Sequence, residues 1–181
     1  MQNVKLTVGG TPIGEATTWA YPNGRKLGYY LTPIYKLTVT GINAKRQAVR
    51  EQFNVLRFGV HCKDEKTATV VGLANAQTHI IKSWIPTYNV HSAPSPEIGA
   101  WQVYGNFLIH DGPDNDTEIF ATIGCIEIMG RQGFVKFNDL IILLAASDAA
   151  SRDQKLANIG RSGVLSITYE EAVRPALKKK H

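Results

Sequence analysis

The sequence predicts a β-rich α+β domain, and three observations point there. The first ninety residues are short apolar segments rich in β-branched and aromatic side chains, often with period two, separated by glycine and proline. Two longer apolar segments, 100–110 and 118–129, flank the acidic turn sequence 111–117. A run with helical spacing, 137–158, follows them. With 181 residues and 44% apolar side chains, the chain can bury one core but is short for two, so 1–181 is read as a single domain.

Taken in order, strands are expected at 4–8, 27–31, 35–41, 53–60 and 67–73. Gly9-Gly10-Thr11-Pro12 and Tyr21-Pro22-Asn23-Gly24 are turn signals between them. The polar stretch 43–52 reads as a short helix or a loop, and 91–100, with two prolines and a glycine, as an irregular connection. Residues 100–110 and 118–129 are expected to pair as an antiparallel ribbon across 111–117, whose Asp-Gly-Pro and Asp-Asn-Asp content cannot extend a strand. One main helix follows, with Asn138 or Asp139 as its N-cap and Leu140, Leu143 and Leu144 on one face. A last strand at 163–169 leads to a short helical 170–177.

The formal charge is +5, and Arg174, Lys178, Lys179 and Lys180 supply most of it. Residues 175–181 therefore read as a solvated basic tail, of a kind that also suits an anionic polymer such as nucleic acid, a membrane surface or a bacterial wall. No zinc-finger spacing, RNP signature or aromatic residues interleaved with a basic stripe is present, so no nucleic-acid partner is expected. The longest apolar run, 140–146, is far below the roughly 20 residues that span a bilayer. No apolar segment follows a basic start in residues 1–10. The expectation is a chain with no transmembrane segment and no Sec signal, made in the cytoplasm.

Two cysteines, Cys62 and Cys125, exclude a disulfide framework. Cys62 sits where an apolar strand meets charge, and its neighbour His61 lacks the spaced partners of a metal site. Nothing implies a metal or an organic cofactor. Cys125 lies between Gly124 and Ile126, and His110 ends the preceding strand. A cysteine nucleophile needs a base within hydrogen-bond reach, a group that orients the base, and backbone amides for the oxyanion. His110 is the candidate base, Asp111 or a backbone carbonyl the candidate orienter, and the amides of Gly124 and Cys125 the candidate oxyanion hole. His91, Trp101 and Tyr104 are candidates to line a cleft.

The wording around these residues, "IHDG" and then "ATIGCIEI", resembles the signature of the L,D-transpeptidase (YkuD-like) catalytic domain. That signature is His-x-Gly, a gap, then Ser/Thr-His-Gly-Cys followed by an apolar residue and Arg or Asn. His110, Gly112, Thr122, Gly124, Cys125 and Ile126 match it; Ile123 stands at the second histidine, Glu127 at the Arg or Asn, and the gap is shorter. The likeness is specific over 104–144, and "GYYLTPIYKLTVTG" resembles another conserved region of the family. The resemblance implies a mixed sheet or β-sandwich, with His110 as base and Cys125 as the nucleophile that forms a thioester with a peptidoglycan stem peptide.

The departures resemble a divergent branch with a Gly-Cys-Ile core, which includes type VI secretion effectors acting as L,D-carboxypeptidases or D-amino-acid exchangers. That branch implies action in the periplasm or cell wall after export, and admits a cognate immunity protein as partner. Papain-like enzymes usually place cysteine before histidine, the reverse of the order here. A second reading is a non-enzymatic β-rich binding or structural domain, for instance a phage or secretion component, with Cys125 buried and His110 capping a turn.

Overall fold

A computed structural model describes residues 1–22, 24–64, 66–90, 97–121 and 123–181. Its strands are β1 (Val4–Val8), β2 (Gly14–Ala20), β3 (Gly24–Ile42), β4 (Ala48–Leu56), β5 (Gly59–Cys62), β6 (Ala68–Val71), β7 (Gln77–Ile80), β8 (Ser83–Ile85), β9 (Ala100–Tyr104), β10 (Phe107–Asp111) and β11 (Ile126–Ile128). Then come α1 (Gly133–Ala145), α2 (Arg152–Ser162), β12 (Leu165–Tyr169) and β13 (Lys178–Lys179). The main sheet runs β7-β12-β1-β3-β4-β11-β10-β9-β8, and β2 and β13 also pair with β3. β1 lies parallel to β12 and β10 parallel to β11, within an otherwise antiparallel sheet, so the protein is a β-rich α+β fold with a mixed sheet.

β3 merges the two expected segments 27–31 and 35–41 into one strand. Its pairing passes from β2 to β4 at Ile34, and Pro33, which has no N–H to give, falls beside that exchange. Residues 43–47 form the β3–β4 turn, held by Asn43, whose Oδ1 accepts from the amides of Lys45 and Gln47. The expected strand 53–60 breaks at Arg57. This arginine is fully buried: Nε donates to the Leu73 carbonyl at 2.9 Å, Nη1 to Gly9 at 2.9 Å, and Nη2 to Ala74 and Glu170 at 3.2 and 2.6 Å. The guanidinium also lies over the rings of Tyr35, Phe58 and Tyr169.

Apolar residues on alternate strand positions, among them Leu6, Leu37, Val55, Ile109, Ile126 and Ile128, face the apolar side of α1, where Phe134, Phe137 and Ile141 meet them. Trp101 belongs to this core and lines no cleft. It is fully buried, 5.0 Å from Trp84 between ring centroids, and its Nε1 donates to Asn138 Oδ1 at 2.8 Å. A Trp on the inner face of a strand stays there when a helix brings an acceptor to its N–H.

Four local expectations are corrected. The single helix at 137–158 is two, because the chain turns left-handed at Ala146 and a Ser151/Gln154 capping box starts α2. Asn138 is an interior residue of α1, whose N-cap is Gln132. Residues 170–177 form no helix; instead Ala172 N donates to the Ala74 carbonyl, and the Arg174 guanidinium donates to the carbonyls of Val70 and Gly72. The basic tail docks rather than trailing in solvent: β13 pairs antiparallel with Leu31 and Tyr30 of β3, Lys178 pairs with Glu15, and Lys180 Nζ donates to Thr17 Oγ1. No described helix is long and apolar enough to cross a membrane.

Candidate active site

His110 lies in β10 and Cys125 just before β11, and these two strands are not the expected antiparallel ribbon. β10 and β11 are parallel, with Ile109 opposite Ile126, His110 opposite Glu127 and Asp111 opposite Ile128. The intervening chain first crosses to β2, where Thr17 N donates to the Asp116 carbonyl and Thr18 Oγ1 to the Phe120 carbonyl at 2.7 Å. It then returns to the start of β10 before running alongside it. Two tight backbone approaches fix this path. Gly112 donates its amide to the Ile128 carbonyl at 2.9 Å, and a Cβ there would stand 2.9 Å from Glu127 Cβ. Gly124 has φ +92° and lies against Gly72, so close that a Cβ would meet Gly72 Cα at 2.7 Å. Packing alone thus explains both glycines, and the Gly112 amide is engaged away from any oxyanion.

Continued one residue back, the β10/β11 register sets Cys125 level with Leu108. His110 is then a diagonal neighbour whose Cα lies about 8 Å away, from the spacing of strands and of residues along them. The Sγ of Cys125 meets the Leu108 N–H and lies 3.9 Å from the Asn106 carbonyl. His110 and Cys125 are each 3% exposed. The Nδ1 of His110 is 2.7 Å from the Asp111 carbonyl oxygen. A carbonyl only accepts, so Nδ1 carries the hydrogen and Nε2 keeps its lone pair. Of the two orienters left open by the sequence, the carbonyl is the one in place. The Asp111 carboxylate turns away and accepts from Glu97 N at 2.9 Å.

Burial sets the protonation states. It pushes His110 down to about 4, against a smaller raising effect of the Asp111 carbonyl. It pushes the Cys125 thiol up to about 12, with the Leu108 N–H opposing and Glu127 adding to the rise. It also raises the Asp111 carboxyl to about 6. At neutral pH the resting pair is a neutral imidazole and a neutral thiol. No thiolate stands ready at neutral pH, so nucleophilic chemistry at Cys125 would need a base to take the thiol proton as the sulfur attacks.

No family model, curated protein or solved structure matches the chain.

Two further residues belong to the cluster. Glu127, which replaces the Arg or Asn of the signature, is 1% exposed and stands opposite His110 in register. Tyr88 packs its ring on His110 with centroids 5.3 Å apart, and its phenol is raised to about 12, first by burial and then by Cys125 and Glu127. Sequence reasoning missed Tyr88, whose only signal is an aromatic residue in the connection "PTYNV". Tyr104 stays outside: it is 56% exposed and stacks on His79 at 4.8 Å. Ile123 is exposed. His91 and Thr122 lie outside the described residues. Both cysteines are free, and Cys62 ends β5, where its Sγ donates to the Asp64 carbonyl.

Proposed function

We propose that this protein is a cysteine acyl-transfer enzyme acting on peptidoglycan stem peptides, chiefly as an L,D-carboxypeptidase that trims tetrapeptides to tripeptides. The observation that carries the reading is the tautomer of His110: with Nδ1 given to the Asp111 carbonyl, Nε2 is the nitrogen left to act as a base, on the strand that pairs with the one Cys125 precedes. The choice of substrate rests on the resemblance of 104–144 to the L,D-transpeptidase signature.

In the proposed reaction Cys125 Sγ attacks the carbonyl carbon of the stem's third residue as its proton passes to His110 Nε2. The tetrahedral adduct collapses, the C–N bond to the terminal D-alanine breaks, and His110 returns the proton to the departing amine. A thioester to Cys125 remains. Water, deprotonated by His110, hydrolyses it to a tripeptide carboxylate and regenerates the thiol; a D-amino acid or a second stem amine in place of water gives exchange or L,D-transpeptidation. The divergent form of the signature favours a secreted antibacterial effector working in the periplasm or wall of a target cell, with an immunity protein in its maker.

The burial of Cys125 favours the second reading, a non-enzymatic β-rich binding or structural domain in which the thiol is packing. Disaccharide-tetrapeptide muropeptides incubated with the protein and with Cys125→Ala separate the two. Loss or exchange of one D-alanine, abolished in the variant, is the acyl-transfer result; unchanged tetrapeptides and pentapeptides are the binding-domain result.

A further inference from the structure

Tyr169 ends β12 inside the core, 1% exposed, and its hydroxyl has no hydrogen-bond partner among the described residues. A buried phenol normally finds a partner, because a polar group left dry is costly. Neither the resting fold nor the chemistry proposed above uses this one. A path of close contacts leads from it to the thiol. The Tyr169 ring lies beneath the Arg57 guanidinium, 5.4 Å away. The Arg57 carbonyl abuts Gly72, where a Cβ would stand 2.6 Å from it, and Gly72 abuts Gly124, the residue before Cys125. Burial raises the Tyr169 phenol, negative charge at Cys125 raises it further, and Arg57 lowers it by less. The phenol therefore keeps its hydrogen while the sulfur is charged.

We propose that Tyr169 is a catalytic residue at Cys125: its hydroxyl, unpartnered in the resting state, donates to Sγ once the sulfur carries negative charge. The other titratable groups near the thiol do not offer this. Glu127 in β11 is a carboxylate whose charge opposes a thiolate, and His110 in β10 has given its Nδ1 hydrogen to the Asp111 carbonyl. Tyr88, whose phenol Cys125 also raises, is half-buried and packs its ring on His110. The Leu108 N–H already meets the sulfur, and Tyr169 adds a second donor. The catalytic part of the proposal rests on the acyl-transfer reading, in which the sulfur gains charge twice: as the thiol proton leaves for attack, and as the thioester breaks.

The test compares full-length wild type, Tyr169→Phe and Tyr88→Phe. Alkylation of Cys125 by iodoacetamide at pH 9 is followed by mass spectrometry of the Cys125 peptide, and urea midpoints are measured alongside. In this labelling the S–C bond forms as iodide leaves, and the thiol proton goes to solvent. Loss of a hydrogen bond to the charged sulfur leaves about tenfold less thiolate, partly offset by a more basic sulfur, so Tyr169→Phe should label about threefold more slowly. Its urea midpoint should hold or rise, since the variant loses only an unpartnered hydroxyl. Loosened packing would speed labelling, so a slower rate does not report a folding defect. Labelling of Tyr169→Phe at the wild-type rate or faster overturns the proposal, as does a slowing confined to Tyr88→Phe. Slower labelling in a protein that leaves muropeptides unprocessed keeps Tyr169 as the donor to the sulfur and removes the acyl-transfer reading. Processing of muropeptides by Tyr169→Phe at the wild-type rate removes the role of Tyr169 alone.

Discussion

His110 gives its Nδ1 hydrogen to the carbonyl of Asp111, its own chain neighbour, at 2.7 Å. The bond joins consecutive residues, so the carbonyl that orients the ring comes from the same strand. It also ties the ring's tautomer to the backbone rather than to a carboxylate, and leaves the Asp111 side chain to hold Glu97 N. Substitution of Asp111 by Asn therefore keeps the orienter, whereas substitution of His110 removes the proposed base outright.

That separation gives a pH prediction. The folded pKa of His110 is depressed from 6.5 to about 4, so its contribution to stability is fully present above 6.5 and is lost as pH falls to about 4. The full loss amounts to about 3 kcal/mol. The folded pKa of Asp111 is raised from 3.8 to about 6, so its contribution is present below 3.8 and is lost as pH rises to about 6. The two oppose each other between pH 4 and 6. Urea midpoints should fall more steeply on acidification in Asp111→Asn than in wild type, and should rise on acidification in His110→Gln. Parallel profiles in all three proteins would show that neither group is perturbed as described.

Resting Cys125 should alkylate slowly at neutral pH, because burial keeps the sulfur as a thiol. The rate with iodoacetamide is expected to climb through alkaline pH without a plateau below about 11. Fast labelling at pH 7 that His110→Ala abolishes would instead indicate a preformed ion pair.

Gly124→Ala meets both a positive φ and the backbone of Gly72. A left-handed conformation and an overpacked contact together cost about 2–4 kcal/mol, read as a shift in the urea midpoint. Because the strain falls beside the thiol, turnover should drop even under conditions where the variant is folded. Ala at Gly130, which also has positive φ but open space around it, should cost no more than the conformational part, about 1–2 kcal/mol.

Arg57→Lys should destabilise by more than about 3 kcal/mol despite keeping the charge. An ammonium cannot serve four carbonyls arranged for a planar fork, and it would leave some of these partly buried carbonyls without their donor. Thermal or urea unfolding reads this directly, and a shift near zero would mean that the segments 73–74 and 170–172 hold without it.

Much of the fold was legible because its signals are local. β1, β9, β10 and β12 follow alternation that any sheet would impose, and the Ser151/Gln154 capping box was written in the sequence although one long helix was expected over it. The parallel pairing of β10 with β11 was not legible. It depends on the crossover docking against Thr17 and Thr18 of β2, a contact between residues a hundred positions apart. His110 and Cys125 were legible as residue types in a pattern, and the carbonyl orienter as one of two options. Tyr88 and Arg57 were not: each owes its place to tertiary packing, and Arg57 in a strand reads from sequence as a surface charge.

The central claim is that Cys125 becomes acylated with His110 as its base. Intact-protein mass spectrometry of the protein, quenched in acid during incubation with a disaccharide-tetrapeptide, tests it most directly. The account predicts an adduct of the tripeptide-bearing muropeptide mapped to Cys125, absent in Cys125→Ala and slowed by 10² or more in His110→Ala. Release of D-alanine by Cys125→Ala at the wild-type rate, or a wild-type protein that neither forms the adduct nor releases D-alanine, would contradict it.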